Sequence, residues 1–163
     1  MAFTVSAFFN VSQAVGRNGH NASTDVMLVQ YMLWHTLIQT VPNFMRNVGH
    51  FPNNCPVGIG PDAIFPHTGV YTANLDQWIL CFQKTANQSG HGPLFEDGRV
   101  DRAPVGWGKR SSGSGGKWCT MQALNYVLFT QADLPYSQLA DFSDVPPTLA
   151  RELKQLVLPD WSD

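Results

Sequence analysis

The sequence predicts a mainly α-helical fold, and three observations predict it. Residues Asp25–Gln39 read DVMLVQYMLWHTLIQ, apolar almost all the way round a helix. Leu75, Trp78, Ile79 and Phe82 recur at i, i+3, i+4 and i+7, one core-facing stripe. Leu124, Val127 and Leu128, then Leu149, Leu153, Leu156 and Val157, give two further helical patterns. The 163 residues suit a single domain. It divides into an N-terminal strand within 1–14, a helical core over 15–130, and an extension over 131–163.

The N-terminal segment alternates. Phe3, Val5, Ala7, Phe9 and Val11 share one face, with Thr4, Ser6, Phe8, Asn10 and Ser12 on the other. This is the period of a strand, and it needs a partner. The expected partner is the 94–101 segment, or the sheet of a neighbouring subunit. VGRNGHN at 15–21 is a turn-rich approach to the first helix, with Ser23 or Thr24 as N-cap.

The Asp25–Gln39 helix is too short to span a bilayer, so it is predicted to be central and buried. One side packs on its own domain. The other is covered by a later insertion or by another protein. Pro42 closes the helix, and 41–61 is a long loop whose Phe44, Met45, Val48 and Phe51 fold back over it. Residues 62–71 are extended or turn.

A second helix spans about Thr72–Asn87. A tight turn forms at Asp97-Gly98, and GWGKRSSGSGG is flexible by composition. The third helix opens at Thr120 as N-cap, with Leu124, Val127 and Leu128 inward. Pro146-Pro147 open an extra C-terminal helix at about 147–158, stopped by Pro159. No internal repeat is visible.

Composition narrows the function classes. Only 13% of residues are charged, about half the usual share, so the surface is neutral and polar. A formal net charge of −2 points away from nucleic acid and anionic membrane. The three cysteines cannot form a closed disulfide set. Cys81 lies in an apolar helical pattern and Cys119 beside Trp118, so both read as small buried hydrophobes in a reducing compartment. The start, MAFTVSAFFNVSQAVG, has no basic n-region or long apolar h-region. The expectation is synthesis in the cytoplasm without a Sec signal peptide, with any exit by lysis or a dedicated apparatus.

Several motifs together resemble the peptidoglycan-binding-like domain of bacteria and phages. VGRNGHNASTDVMLVQYML at 15–33 is similar to that family's opening, where Asp25, Val26, Val29, Gln30 and Leu33 match D-V-x-x-V-Q-x-L-L. DAIFPHT, and the helix ending Phe82-Gln83-Lys84, resemble the family's D-G-x-x-G-x-x-T followed by a helix ending F-Q. DGRVD at 97–101 and Thr120–Asn125 resemble its last loop and third helix. Ala63 and Pro66 stand where the family's second loop has glycines. The resemblance implies a three-helix cell-wall-binding core with long irregular loops.

It also implies a site. Asp62, Phe65, Thr68 and Tyr71 precede the second helix, where the family has the rim of its glycan or stem-peptide groove. Polar side chains and a ring face suit hydrogen bonding and stacking on a sugar. Asp97 and Arg99 on the next loop complete the candidate set. The local alternative is that Asp62, Thr68 and Thr72 serve turns and caps, and that Asp97, Arg99 and Asp101 form a turn with an ion pair.

Other chemistry finds no pattern. The five histidines stand singly, and no HExxH or CxxC occurs, so neither metal nor cofactor is expected. The 97–101 carboxylates lack the ligand spacing of a calcium loop. GWGKRSSGSGG lacks the GK[ST] ending of a phosphate loop, and no nucleophile constellation is readable. The expectation is a non-catalytic module that binds peptidoglycan or another bacterial surface glycan and anchors or delivers a partner at the cell envelope. The alternative is a structural or adaptor subunit of a phage virion or contractile injection apparatus. Such a subunit would meet its neighbours through the N-terminal strand and the apolar helix.

Overall fold

Helix α1, Ser23–Trp34, is enclosed by its own chain. Nine consecutive residues, Asp25–Leu33, are buried, and α1 packs against each of the other helices. In this computed structural model, residues 9–39, 55, 61–90, 92–103, 118–131 and 145–155 are described. Among them the order is β1 (Val15–Gly16), α1, a π-helical turn at His35–Gln39, and a 3₁₀ turn at Pro61–Ala63. Helix α2 (Ala73–Gln88), β2 (Arg99–Val100), α3 (Thr120–Gln131) and α4 (Pro147–Gln155) follow. The protein is thus mostly helical, with four α-helices and a two-stranded sheet among the described residues.

The helical stripes fall where the spacing predicts. Leu33, Leu75, Phe82 and Leu124 are fully buried in one cluster. Val127, Leu128 and Leu149 join it. Each such side chain stabilises the fold by about 1.5–3 kcal/mol. No described helix is long and apolar enough to cross a membrane. Phe44, Met45, Val48 and Phe51, the Gly-Ser segment, and Leu156 and Val157 lie outside the described residues.

Five expectations need correction. First, Cys81 is not a free thiol: it is disulfide-bonded to Cys55, with Cα atoms 4.7 Å apart, and Cys119 is the free cysteine. An odd count leaves one thiol over but does not forbid a pair.

Second, the described sheet does not use the described part of the N-terminal alternation; residues 3–8 lie outside the described residues. The described part of that alternating run, residues 9–11, is not a strand, although Phe9 and Val11 are buried and Asn10 is half-buried, as the period requires. The 99–100 segment pairs with residues 15–16 instead, antiparallel, with Val15 opposite Val100 and Gly16 opposite Arg99. Gly16 permits this approach. Its φ is +100°, and a Cβ there would collide with the Gly98 carbonyl oxygen.

Third, α1 is capped at Ala22, without a side-chain cap bond. Asn21, in the left-handed region at φ 57°, sets the entry into the helix. Fourth, Thr120 is the first residue of α3 rather than its cap. Gln122 reaches back to the Cys119 N–H at 3.0 Å, half of a capping box.

Fifth, α1 does not run regularly to Gln39. The Thr36 hydroxyl donates to the Met32 and Leu33 carbonyls at 2.9 and 3.3 Å, and the helix widens into the π turn there. A hydroxyl competing for the carbonyls of the preceding turn distorts a helix in this way.

Candidate functional site

The loops that carry the predicted site are held by buried amide side chains. Gln30, on α1, accepts from the Gly69 N–H at 2.9 Å and donates to the carbonyls of Ala63 and Val70 at 3.0 and 3.3 Å. Gln83, on α2, accepts from the N–H groups of Asp97 and Gly98. It donates to the Asp97 carboxylate, the Arg99 carbonyl and the Thr120 hydroxyl, each at 2.9 Å. Both side chains are almost fully buried. An amide carries a donor and an acceptor side by side, so it can pair with backbone as a strand would.

The two clamps have one pair of bonds in common. Each glutamine accepts from a glycine N–H and donates to the carbonyl of the next residue. The glycines have φ of +72° and +71°. Val26, Val29 and Gln30 occupy the places of Ile79, Phe82 and Gln83. Two helix–loop pairs thus share one clamp, although the two loops differ in length.

The predicted residues fall into two groups. Asp62 sits exposed in the 3₁₀ turn. Phe65 is 45% exposed. Its ring stacks on Trp34, with centroids 4.5 Å apart and planes at 22°, and meets His67 edge-on at 5.4 Å. His67 lies edge-on to Tyr31 at 5.1 Å, and Tyr31 packs on His35 at 4.3 Å. An aromatic train thus runs from the core to an exposed ring. The Thr68 hydroxyl accepts from the Val70 N–H at 3.2 Å, a local turn bond.

Asp97 and Arg99 form the second group. Asp97 accepts from the Arg99 N–H at 3.0 Å as well as from Gln83. Arg99 pairs with Asp101 at 2.7 Å and donates to the Asn18 carbonyl at 3.0 Å. Here the local reading, a turn with an ion pair, accounts for these bonds. Thr72 stands at the α2 N-cap position but makes no cap bond.

Tyr71 leads from the first group toward the second. Its hydroxyl donates to Asp76 Oδ2 at 3.1 Å. Asp76, in the first turn of α2, is buried, and its Oδ1 has no hydrogen-bond partner. Burial pushes the Asp76 carboxyl above its ordinary range, while the Tyr71 hydrogen bond and the nearby Arg17 pull the other way. Burial, then the Asp76 partner, raises the Tyr71 phenol. A Cβ on Gly98 would come within 3.1 Å of the Asp76 carbonyl oxygen, so the two loops meet at this residue.

Sequence reasoning missed Trp34, His67 and Asp76. The Trp34 ring is what braces Phe65. No group of three or more His, Cys, Asp or Glu side chains that could hold a metal is found among the described residues.

Comparison with known protein families, curated proteins and solved structures finds no match to this chain.

Proposed function

We propose that the chain is a non-catalytic module that binds peptidoglycan or a related bacterial surface glycan, and so anchors or delivers a partner at the cell wall. The observation that carries this is the Phe65 ring. It is exposed, braced on one face by Trp34 and at its edge by His67, and mounted on a loop fixed by Gln30. A rigid ring face on a segment that also carries the exposed Asp62 and Thr68 suits a pyranose, whose carbon face stacks while its hydroxyls hydrogen-bond. The resemblance to peptidoglycan-binding-like domains supports the same reading, because Gln30, Gln83 and the DGRVD turn are the matched residues that clamp the loops. The Cys55–Cys81 disulfide accords with work outside a reducing cytoplasm. No catalytic chemistry, cofactor, nucleic acid or membrane enters the proposal.

The test is sedimentation with purified, insoluble peptidoglycan. Wild type should co-sediment, and Phe65→Ala should lose about tenfold in affinity, the scale of a stacking contact worth about 1–1.5 kcal/mol, while still melting cooperatively, lowered only by the loss of the Trp34 stack. Wild-type protein that stays in the supernatant would refute the reading.

The alternative, a structural or adaptor subunit of a virion or injection apparatus, is supported by Ile38, which is 39% exposed on the last turn of the apolar 25–39 stretch. Self-association in solution, measured as mass, together with no glycan binding would select it.

A further inference from the structure

We propose that the chain carries a second glycan-contacting face, built on Phe95 and Glu96, so that one molecule grips two segments of one polymer. This rests on the glycan-binding reading above and follows from the clamp that the two loops share. In the first unit the buried Ile64 is followed by the exposed Phe65, and the Gln30-bound Gly69 comes shortly after. In the second, the buried Leu94 is followed by Phe95, 55% exposed, and the Gln83-bound Gly98 comes shortly after. Each loop thus presents a phenyl ring directly after a buried aliphatic residue and shortly before the clamped glycine, four residues in the first loop and three in the second.

A single exposed phenylalanine is unremarkable on a protein surface. What singles out Phe95 is the backbone beneath it. Asn87 holds Leu94 at both ends, its Oδ1 accepting from the N–H at 2.6 Å and its Nδ2 donating to the carbonyl at 3.2 Å. The Trp118 N–H donates to the Pro93 carbonyl at 2.9 Å, and Leu94 bridges to Trp118 in parallel. Gln83 fixes Asp97 and Gly98 on the other side. A ring on a backbone fixed on both sides gives up little freedom when it binds.

A polar partner stands beside it. The exposed Glu96 carboxylate accepts from Asn87 Nδ2 at 2.9 Å, which orients it while leaving further lone pairs for hydroxyl donors. Ring and carboxylate are sequence neighbours here, and the first loop also carries an exposed ring and an exposed acid, Phe65 and Asp62. Repetition fits a polymer: a second contact on the same strand multiplies affinity through effective concentration.

The experiment compares wild type, Phe65→Ala, Phe95→Ala and Glu96→Gln on insoluble peptidoglycan, with melting curves as the fold control. Each is also titrated with a soluble disaccharide fragment of the same polymer. Phe95→Ala and Glu96→Gln should each weaken polymer binding by about tenfold or more. Disaccharide stoichiometry should fall from about two per chain to about one in Phe95→Ala. If Phe65→Ala weakens binding while Phe95→Ala matches wild type, or if wild type takes only one fragment, the second face is refuted and the first stands. If wild type binds neither probe, both readings fall together.

Discussion

Gln30 meets its loop through Ala63, Gly69 and Val70 alone, whereas Gln83 meets its loop through Asp97, Gly98 and Arg99 and reaches α3 through Thr120. The next helical turn separates the units further. Four residues after Gln30 stands Trp34, which stacks on Phe65. Four residues after Gln83 stands Asn87, which binds the backbone of Leu94 and the Glu96 carboxylate. One unit spends that position on an aromatic ring, the other on hydrogen bonds. The second loop also enters the sheet through β2. The same clamp therefore serves two ends. In the first loop it steadies a surface ring. In the second it ties a turn, a strand and a helix start into one body.

The largest test of that difference is to remove each clamp. Gln83→Ala would leave the buried Gly98 N–H and the Thr120 hydroxyl without their partner, and should cost about 3–4 kcal/mol in chemical denaturation. Gln30→Ala should cost less, about 2 kcal/mol. Equal losses would break the comparison.

The glycines should rank the other way. A Cβ on Gly69 would sit 2.5 Å from the Ser23 hydroxyl and 2.7 Å from its carbonyl oxygen, whereas one on Gly98 comes no nearer than 3.1 Å to any atom. Both positions carry the cost of a left-handed backbone. Gly98→Ala should therefore lose about 1–2 kcal/mol and Gly69→Ala about 2–3 kcal/mol. Thermal melting of the two variants side by side checks the order.

Asp76, where the loops meet, gives a smaller and pH-dependent effect. Its carboxyl holds its proton more tightly folded than unfolded. That contribution is present at low pH and is lost as pH rises past the ordinary carboxylate value through the raised folded one. Asp76→Asn should melt above wild type near neutral pH, and the gap should close as pH falls below about 4. A gap that persists in acid would mean the carboxylate is not the strained group. The smallest effect belongs to Thr68→Ala, which loses one exposed turn bond and should stay within about 0.5 kcal/mol of wild type.

The helices were legible because burial and periodicity are local in sequence. Leu75, Trp78, Ile79 and Phe82 declare α2 without any knowledge of their partners, and an all-round apolar α1 declares its enclosure. The clamps were not legible, because Gln30 finds its partners 33 to 40 residues away. A polar residue inside an apolar helix was the available signal, and Gln30 carried it. The disulfide was missed because Cys81 satisfies a helical stripe as well as a bond. Of the candidate site, Phe65 and Asp62 were readable as a ring and an acid before a helix. The bracing by Trp34 was not, since stacking across a long loop leaves no spacing to count.

The amides have a consequence for how the molecule ages. Gln30, Gln83, Asn87 and Asn125 each work by presenting a donor and an acceptor at once; Asn125 does so for the Phe9 N–H and carbonyl, both at 2.9 Å. Hydrolysis of such a group to a carboxylate removes its donors and leaves acceptors only. At Gln83 the new anion would face the Asp97 carboxylate and the Arg99 carbonyl, turning a clamp into a repulsion. Gln30, Gln83 and Asn125 are sealed in the core, away from the water that such hydrolysis requires. Asn87 is half-exposed and holds the Leu94 backbone and the Glu96 carboxylate. Among these four amides, slow chemical damage should therefore reach Asn87 first, and register as loosening of the Leu94–Glu96 edge before the helices give way.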